Sequence, residues 1–378
     1  MSKVRRLIVL LLIAGALWHF YGDTFERYGV SGVFEDMKSD INGIKENPVV
    51  QNTIDTISYE FQILMGKLKD DQQIQENEQP NNSVAEKPEL DEPSEQSFSV
   101  HNIEIGNQRS EVKKEVGEPQ RSTLNEYGVH WDAFHDNYQN FFMVAYDEQN
   151  QVAGLFTNQD LFTSTQGISI QSSKDSVLSK LGEPLKGIQK GLTTYRFQND
   201  GEYNTFLIDN NYVTIFYDKH QNNKVTAIQI ITRELERQKD GFFGEPSDQL
   251  REGFEYQLFD LTNAARVKHG LDILNWAEPA RKTGRDHSKD MAVNNYFGHT
   301  NLEGQSPFDR LLEDDIDFQM AGENLASGQS SSIFSHEGLM NSLGHRENIL
   351  KEGFRSLAVG VAFNEEAQPF YTEMFLTK

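Results

Sequence analysis

At 378 residues the chain exceeds one ordinary core and is read as at least two folded units. Its formal charge of -23, from 58 Asp and Glu against 35 Lys and Arg, repels phosphate backbones and excludes nucleic acid as a partner. With no cysteine, a disulfide framework and a thiolate zinc site are both excluded, so any metal must be held by histidine and carboxylate.

Lys3, Arg5 and Arg6 precede the apolar run Leu7–Tyr21, and Asp23 and Glu26 follow it. The basic flank then stays cytoplasmic and the rest of the chain lies outside. Residues 1–22 are read as a signal-anchor or a signal peptide. Trp18 and Tyr21 suit the interfacial belt of a retained single-pass anchor, which leaves an extracytoplasmic C-terminus at the cell membrane. Ala14-Gly15-Ala16 suits cleavage and secretion. A buried core helix is the third reading, because the run is shorter than the roughly 20 residues of a span.

Residues 23–70 read as amphipathic helix. Val50, Ile54, Ile57, Phe61, Leu64 and Leu68 fall on one stripe after Pro48, to be buried on the body of the protein, against a second copy through residues 50–68, or on the membrane surface. Residues 71–101 are acidic, polar and interrupted by proline, with little apolar surface to offset ordering, and predict a flexible linker.

From 102 to 236 the chain repeats itself. IEIGNQRSEVKKEVGEP, starting at Ile103, returns as ISIQSSKDSVLSKLGEP, starting at Ile168, at a constant offset of 65 residues. Each copy predicts a short strand, a helix and a stop at Gly117 or Gly182. The runs Phe141–Thr157 and Tyr212–Thr232 that follow each predict a hairpin. The expected architecture is two helix-plus-antiparallel-strand units packed side by side. Trp131, His135, Tyr138, Phe141 and Phe142 make an aromatic patch, read as core with a ligand groove as the rival. GEPQR (117–121), EYGVHW (126–131), GLFTN (154–158), LGEPLK (181–186) and FYDKHQNNKV (216–225) together resemble the CAP-associated N-terminal domain of exported proteins from Bacillus-like bacteria. That resemblance implies architecture and little chemistry.

From 247 to 378, Leu250, Phe254, Leu258, Leu261 and Ala265 mark a helix that stops at His269-Gly270, and Trp276 leads a second helix through His287, Met291 and Asn295. Leu357–Asn364 and Pro369–Thr377 alternate as strands of a small antiparallel sheet. Polar residues gather at turns: His299 after Tyr296-Phe297-Gly298, Glu323 in AGENLA, His336 and Glu337 on a helix, and His345 beyond that helix's end. Two neutral imidazoles hold a divalent cation while a carboxylate orients an imidazole or a water, so metal binding and plain structural hydrogen bonding are the two readings of this set.

LTNAARVKHGLDIL, RDHSKDMAVNNYFGHTNLEGQSPFDRL, AGENLA, MNSLGHRENIL and GVAF, in that order, resemble the bacterial branch of the CAP superfamily, also called SCP or pathogenesis-related-1-like, over about Leu250–Phe375. The resemblance implies an α+β fold whose C-terminal part is an α-β-α sandwich, with a cleft lined by the tetrad His299, Glu323, Glu337 and His345. His299 and His345 would be the metal ligands, for zinc or magnesium, with the two glutamates orienting them or a water. Leu339, Leu343 and Glu373 stand where the family usually has tryptophan, proline and glutamine.

The functional expectation is an exported, membrane-tethered binding module that captures a small-molecule, glycan or peptide ligand at the cell envelope. No G-x-S-x-G elbow is present, and the H-E-x-x-H pattern fails because Met340 stands where the second histidine belongs. No catalytic residue is therefore assigned. A metal-dependent hydrolase acting on envelope peptides or glycans, with Glu323 or Glu337 as base, is the first alternative. A scaffold with a vestigial cleft is the second.

Overall fold

The computed structural model describes residues 85–197 and 201–378. The expectations for Leu7–Tyr21 and for the Val50–Leu68 stripe lie outside the described residues.

The acidic stretch, expected to stay flexible through residue 101, is docked from Ala85 onward. Ala85 N–H donates to Gln139 Oε1 at 2.8 Å. The buried carboxylate of Glu104 accepts from the backbone N–H groups of Ser94, Glu95 and Gln96 at 2.6–2.9 Å. Those bonds outweigh burial and hold its carboxyl below the usual range. Backbone hydrogen bonds thus order a segment that has almost no apolar side chain to bury. Strand β1 (Phe98–Val100) follows and pairs with β6 (Phe162–Ser164).

The duplication is visible element by element. Helix α1 (Arg109–Val116) ends at Gly117 with φ 84°, and α2 (Lys174–Leu181) ends at Gly182 with φ 81°, each glycine N–H returning to the last turn. Strands β3 (His130–Asp136) and β4 (Gln139–Tyr146) turn through Asn137 and Tyr138, both at positive φ. Strands β9 (Tyr203–Ile208) and β10 (Asn211–Asp218) turn in the same way through Asp209 and Asn210. The third strand of each copy, β5 (Val152–Thr157) or β11 (Lys224–Thr232), is where the copies meet, antiparallel, with Leu155 opposite Ile230. The two units therefore do not pack side by side as separate sheets. With β2 (Arg121–Leu124) they merge edge to edge into one seven-stranded sheet, β2-β3-β4-β5-β11-β10-β9. The second copy has in addition a separate hairpin, β7 (Gly187–Lys190) with β8 (Thr193–Arg196). Trp131, Tyr138, Phe141 and Phe142 are buried core.

After the short α3 (Arg233–Gln238), Ser247 caps α4 (Asp248–Lys268) by accepting from Leu250 N–H at 3.0 Å. Strand β12 (Asn275–Trp276) leads into α5 (Glu278–Asn294), which Asn295 ends at φ 54°. Next come α6 (Pro307–Glu313), β13 (Met320–Ser327), α7 (Ser332–Asn341), α8 (Leu343–Ile349), β14 (Ser356–Phe363) and β15 (Pro369–Thr377). The sheet runs β12-β14-β15-β13, antiparallel except for the two-residue parallel pair β12–β14.

Alternation along β15 separates its two faces. Tyr371 stacks on Phe254, and Glu373 accepts from Thr262, both on α4. Thr372 meets Ser288 of α5, and Met374 packs with Ala280 and Leu311. Helices therefore cover the sheet on both sides. One apolar cluster continues from Trp131, Phe141 and Phe156 of the larger sheet into Phe254, Leu258 and Phe259 of α4.

Candidate functional site

The turn after α5 is built before any ligand arrives. The Nε2–H of the buried His287 donates to the Gly298 carbonyl at 3.0 Å, and the Tyr296 hydroxyl donates to Asp290. His299 is thereby set at the end of a held loop, with 21% of its side chain exposed.

Glu323 on β13 is fully buried, and each of its oxygens is engaged. Oε1 accepts from His299 Nδ1 at 2.8 Å, and Oε2 accepts from Arg310 at 2.6 Å. Burial alone would raise its pKa; the His299 hydrogen bond and the Arg310 charge reverse this and hold the carboxyl below its ordinary value. A histidine whose Nδ1–H is held by a carboxylate is the arrangement found behind metal-bound imidazoles. Arg310 also donates to the carbonyls of His299 and Gln305, at 2.8 and 3.1 Å, so one guanidinium ties the loop to the strand.

His345 lies just beyond the end of α7, as expected, in the first turn of α8. Asn324, the neighbour of Glu323 on β13, donates to the His345 carbonyl at 3.1 Å, and Asn348 donates to Asn324 Oδ1 at 2.9 Å. This clasp of β13 to α8 brings His345 within the electrostatic reach of His299. Burial first, then the field of His299, lowers the His345 pKa to about 4 and keeps the ring neutral. Phe297, Leu302 and Leu343, within three residues of one or other histidine in the sequence, are exposed apolar side chains.

His299 and Glu323 are thus hydrogen-bonded, and His345 is near enough to feel the charge of His299. The structure places Glu337 elsewhere: it is buried on α7 and feels Lys268, Asp218 and Arg346, and burial raises its carboxyl pKa. The adjacent His336 is lowered by burial to about 3. Glu373 is also fully buried, on the α4 side of the sheet, where it accepts from Thr262 and Asn324. Among the described residues, no group of three or more His, Asp or Glu could enclose an ion. A pair of imidazoles is fewer than the three protein ligands of a catalytic zinc site. Arg310 was not singled out in the sequence; its signal was the SPFDRL stretch, where Ser306 and Pro307 open α6 and aim the arginine back at the loop.

A sequence model of the cysteine-rich secretory protein family, CAP, matches residues 259–375, and one of the CAP-associated N-terminal domain matches 105–242. The chain is 30% identical over 301 residues to the uncharacterized membrane protein YlbC of Bacillus subtilis, covering 72% of this chain and 82% of that one. It is 38% identical over 125 residues to Bacillus subtilis YkwD, covering 33% of this chain and 48% of that one. Among solved structures, an extracellular SCP-domain protein of Bacillus anthracis superposes with a TM-score of 0.64 at 28% identity, over 78% of this chain and 100% of that one. A cysteine-rich secretory protein of Staphylococcus aureus shares the fold, with a TM-score of 0.55 at 15% identity, over 72% of this chain and 91% of that one.

Proposed function

We propose that this chain, which belongs to the CAP family and carries the CAP-associated N-terminal domain ahead of its CAP domain, is a ligand-capturing module at the outer face of the cell membrane. The names of YlbC, a membrane protein, and of the extracellular Bacillus anthracis neighbour support that location, with Leu7–Tyr21 as the single-pass anchor.

The observation that carries the reading is the state of Glu323. A general base needs a carboxylate oxygen aimed at water, whereas both oxygens of Glu323 are engaged in holding His299 and Arg310. An oriented imidazole, a neutral second imidazole and the exposed apolar side chains Phe297, Leu302 and Leu343 near them in sequence support binding over hydrolysis. A divalent cation would be held by His299 and His345, with the nitrogen donors favouring zinc over magnesium. When bound, it would supply a positive charge to coordinate an oxygen of the ligand.

The test is equilibrium dialysis of the full chain in nanodiscs against zinc. About one ion per chain is expected to stay, to be lost in the variant with both His299→Ala and His345→Ala, and to survive Glu337→Ala. Equal retention by the double variant would remove the histidine pair from the proposal. Release of fragments from envelope peptides or glycans by the zinc-loaded chain would replace binding with hydrolysis.

A further inference from the structure

The copies diverge after the Gly-Glu-Pro stop, and a cavity of about 830 Å³ opens there. In the first copy the segment after Pro119 becomes β2 and stays in the large sheet beside β3. In the second copy the segment after Pro184 becomes the hairpin β7–β8, which leaves the large sheet and forms a two-stranded piece of its own. The offset between copies, 65 residues before this point, has grown to 71 by Phe141 and Tyr212. The hairpin, one face of β9, β10 and β11, the segment after α3 and the turn from β13 into α7 line the space. None of His299, Glu323 or His345 contributes to it; Glu337 does.

Its floor is a row of neutral polar groups. Thr205, Thr214 and Gln229 stand side by side on three neighbouring strands, in register and buried. The two threonine hydroxyls bond each other at 2.9 Å. Gln229 is 2% exposed, and its Nε2 has no hydrogen-bond partner among the described residues. A buried amide donor without a partner is costly unless a ligand satisfies it.

Half-buried aromatic rings surround this row in two groups: Tyr195 stacked with Phe242 at 6.2 Å, and Tyr203 edge-on to Phe334 at 5.1 Å. The charges present are largely spent on each other. Lys190 meets Glu236 at 2.8 Å and also donates to the carbonyls of Lys239 and Gly241. Glu202 is paired with Lys219 at 2.9 Å, and Arg196 is exposed to solvent.

Three ligand classes can be weighed against this lining. An acyl chain would cover the rings but leave the Gln229 amide unmet. An extended peptide would seek the outer edge of β9, where the Thr205 carbonyl already accepts from Leu185 N–H. A sugar offers C–H faces to the rings and hydroxyls to the amide and threonines, and needs no net charge.

We propose that this cavity binds an uncharged oligosaccharide of a few rings, a site independent of the histidine pair. The volume lies within the roughly 300–1,000 Å³ of small-molecule sites.

The full chain in nanodiscs is titrated by calorimetry with chitotetraose, cellotetraose and maltotetraose, with palmitate and tetraalanine as competing classes. One tetrasaccharide should bind with a stoichiometry near one. Gln229→Leu, and separately Tyr195→Ala on the hairpin, should each weaken it by about tenfold, with thermal melting unchanged in the Tyr195→Ala variant. The variant with His299→Ala and His345→Ala should bind as well as the parent. The proposal fails if none of the three sugars binds, if palmitate or tetraalanine binds more tightly, or if affinity follows the histidines instead of Gln229 and Tyr195.

Discussion

Glu323 and Glu373 are both fully buried on paired strands, yet their acidities move in opposite directions. Glu323 faces a guanidinium and an imidazole and stays ionised; Glu373 has only Thr262 and Asn324, so burial raises its pKa to about 7. The native state therefore holds the Glu373 proton more tightly than the unfolded chain, whose ordinary value is 4.5. Its contribution is fully present below pH 4.5 and is lost as pH rises through about 7. In Glu373→Gln the amide can donate to the Thr262 hydroxyl and accept from Asn324, and no charge ever forms. The variant should match the parent at pH 4 and exceed it at pH 8, by up to about 3 kcal/mol. Urea midpoints at the two pH values decide; a gain of equal size at both would show that ionisation is not the cause. Glutamine is the residue the family resemblance expects at this position. Leu339 fills core and Leu343 is exposed, so the other two departures were legible as residues and not as environments.

The helix that carries the His299 loop reaches the sheet through two glycines. A Cβ on Gly360 of β14 would fall 2.1 Å from backbone atoms of Gly284 and Arg285 on α5, whereas one on Gly284 would stand 3.1 Å from its nearest neighbour. Gly360→Ala must push α5 off the strand and should cost about 3 kcal/mol or more, with Gly284→Ala well below it. Thermal unfolding of the two variants tests the order, and equal losses would refute it. α4, α5, β14 and β15 were readable because their apolar residues keep the helical or strand period. β13 was not, because Glu323 and Asn324 are buried by partners distant in the chain and so read as a polar turn. Glu337 was drawn into the tetrad by its position before the MNS motif, but α7 turns that side chain toward Asp218 and Lys268, a consequence of tertiary packing that spacing does not encode. The hairpins of the duplication were legible; the β5–β11 union was not, since strand partners far apart in sequence leave no local trace.

Two family segments, each readable by itself, share one interior. Gly253 of α4 has no room for a Cβ because the Leu124 carbonyl of β2 would lie 2.1 Å from it. Four residues along, Gln257 donates to the same carbonyl at 2.9 Å, and Asp260 accepts from Arg121 at 2.9 Å and from Tyr138 at 2.8 Å. Arg346, just after His345, reaches back to Asp218 at 2.9 Å. The helix that backs the smaller sheet is thus also the face on which the larger sheet rests, and the cleft is fixed to the duplicated domain without a hinge of exposed contacts. Such a joint should melt as one unit. Asp260→Ala leaves the Arg121 guanidinium and the Tyr138 hydroxyl without their carboxylate at a buried position, a loss of about 3 kcal/mol. Calorimetry of the full chain should show a single transition for residues 85–378 in the parent, and in the variant the same single transition at lower temperature. If Asp260→Ala instead splits it into two peaks, or if the parent already shows two, the shared core does not couple the domains.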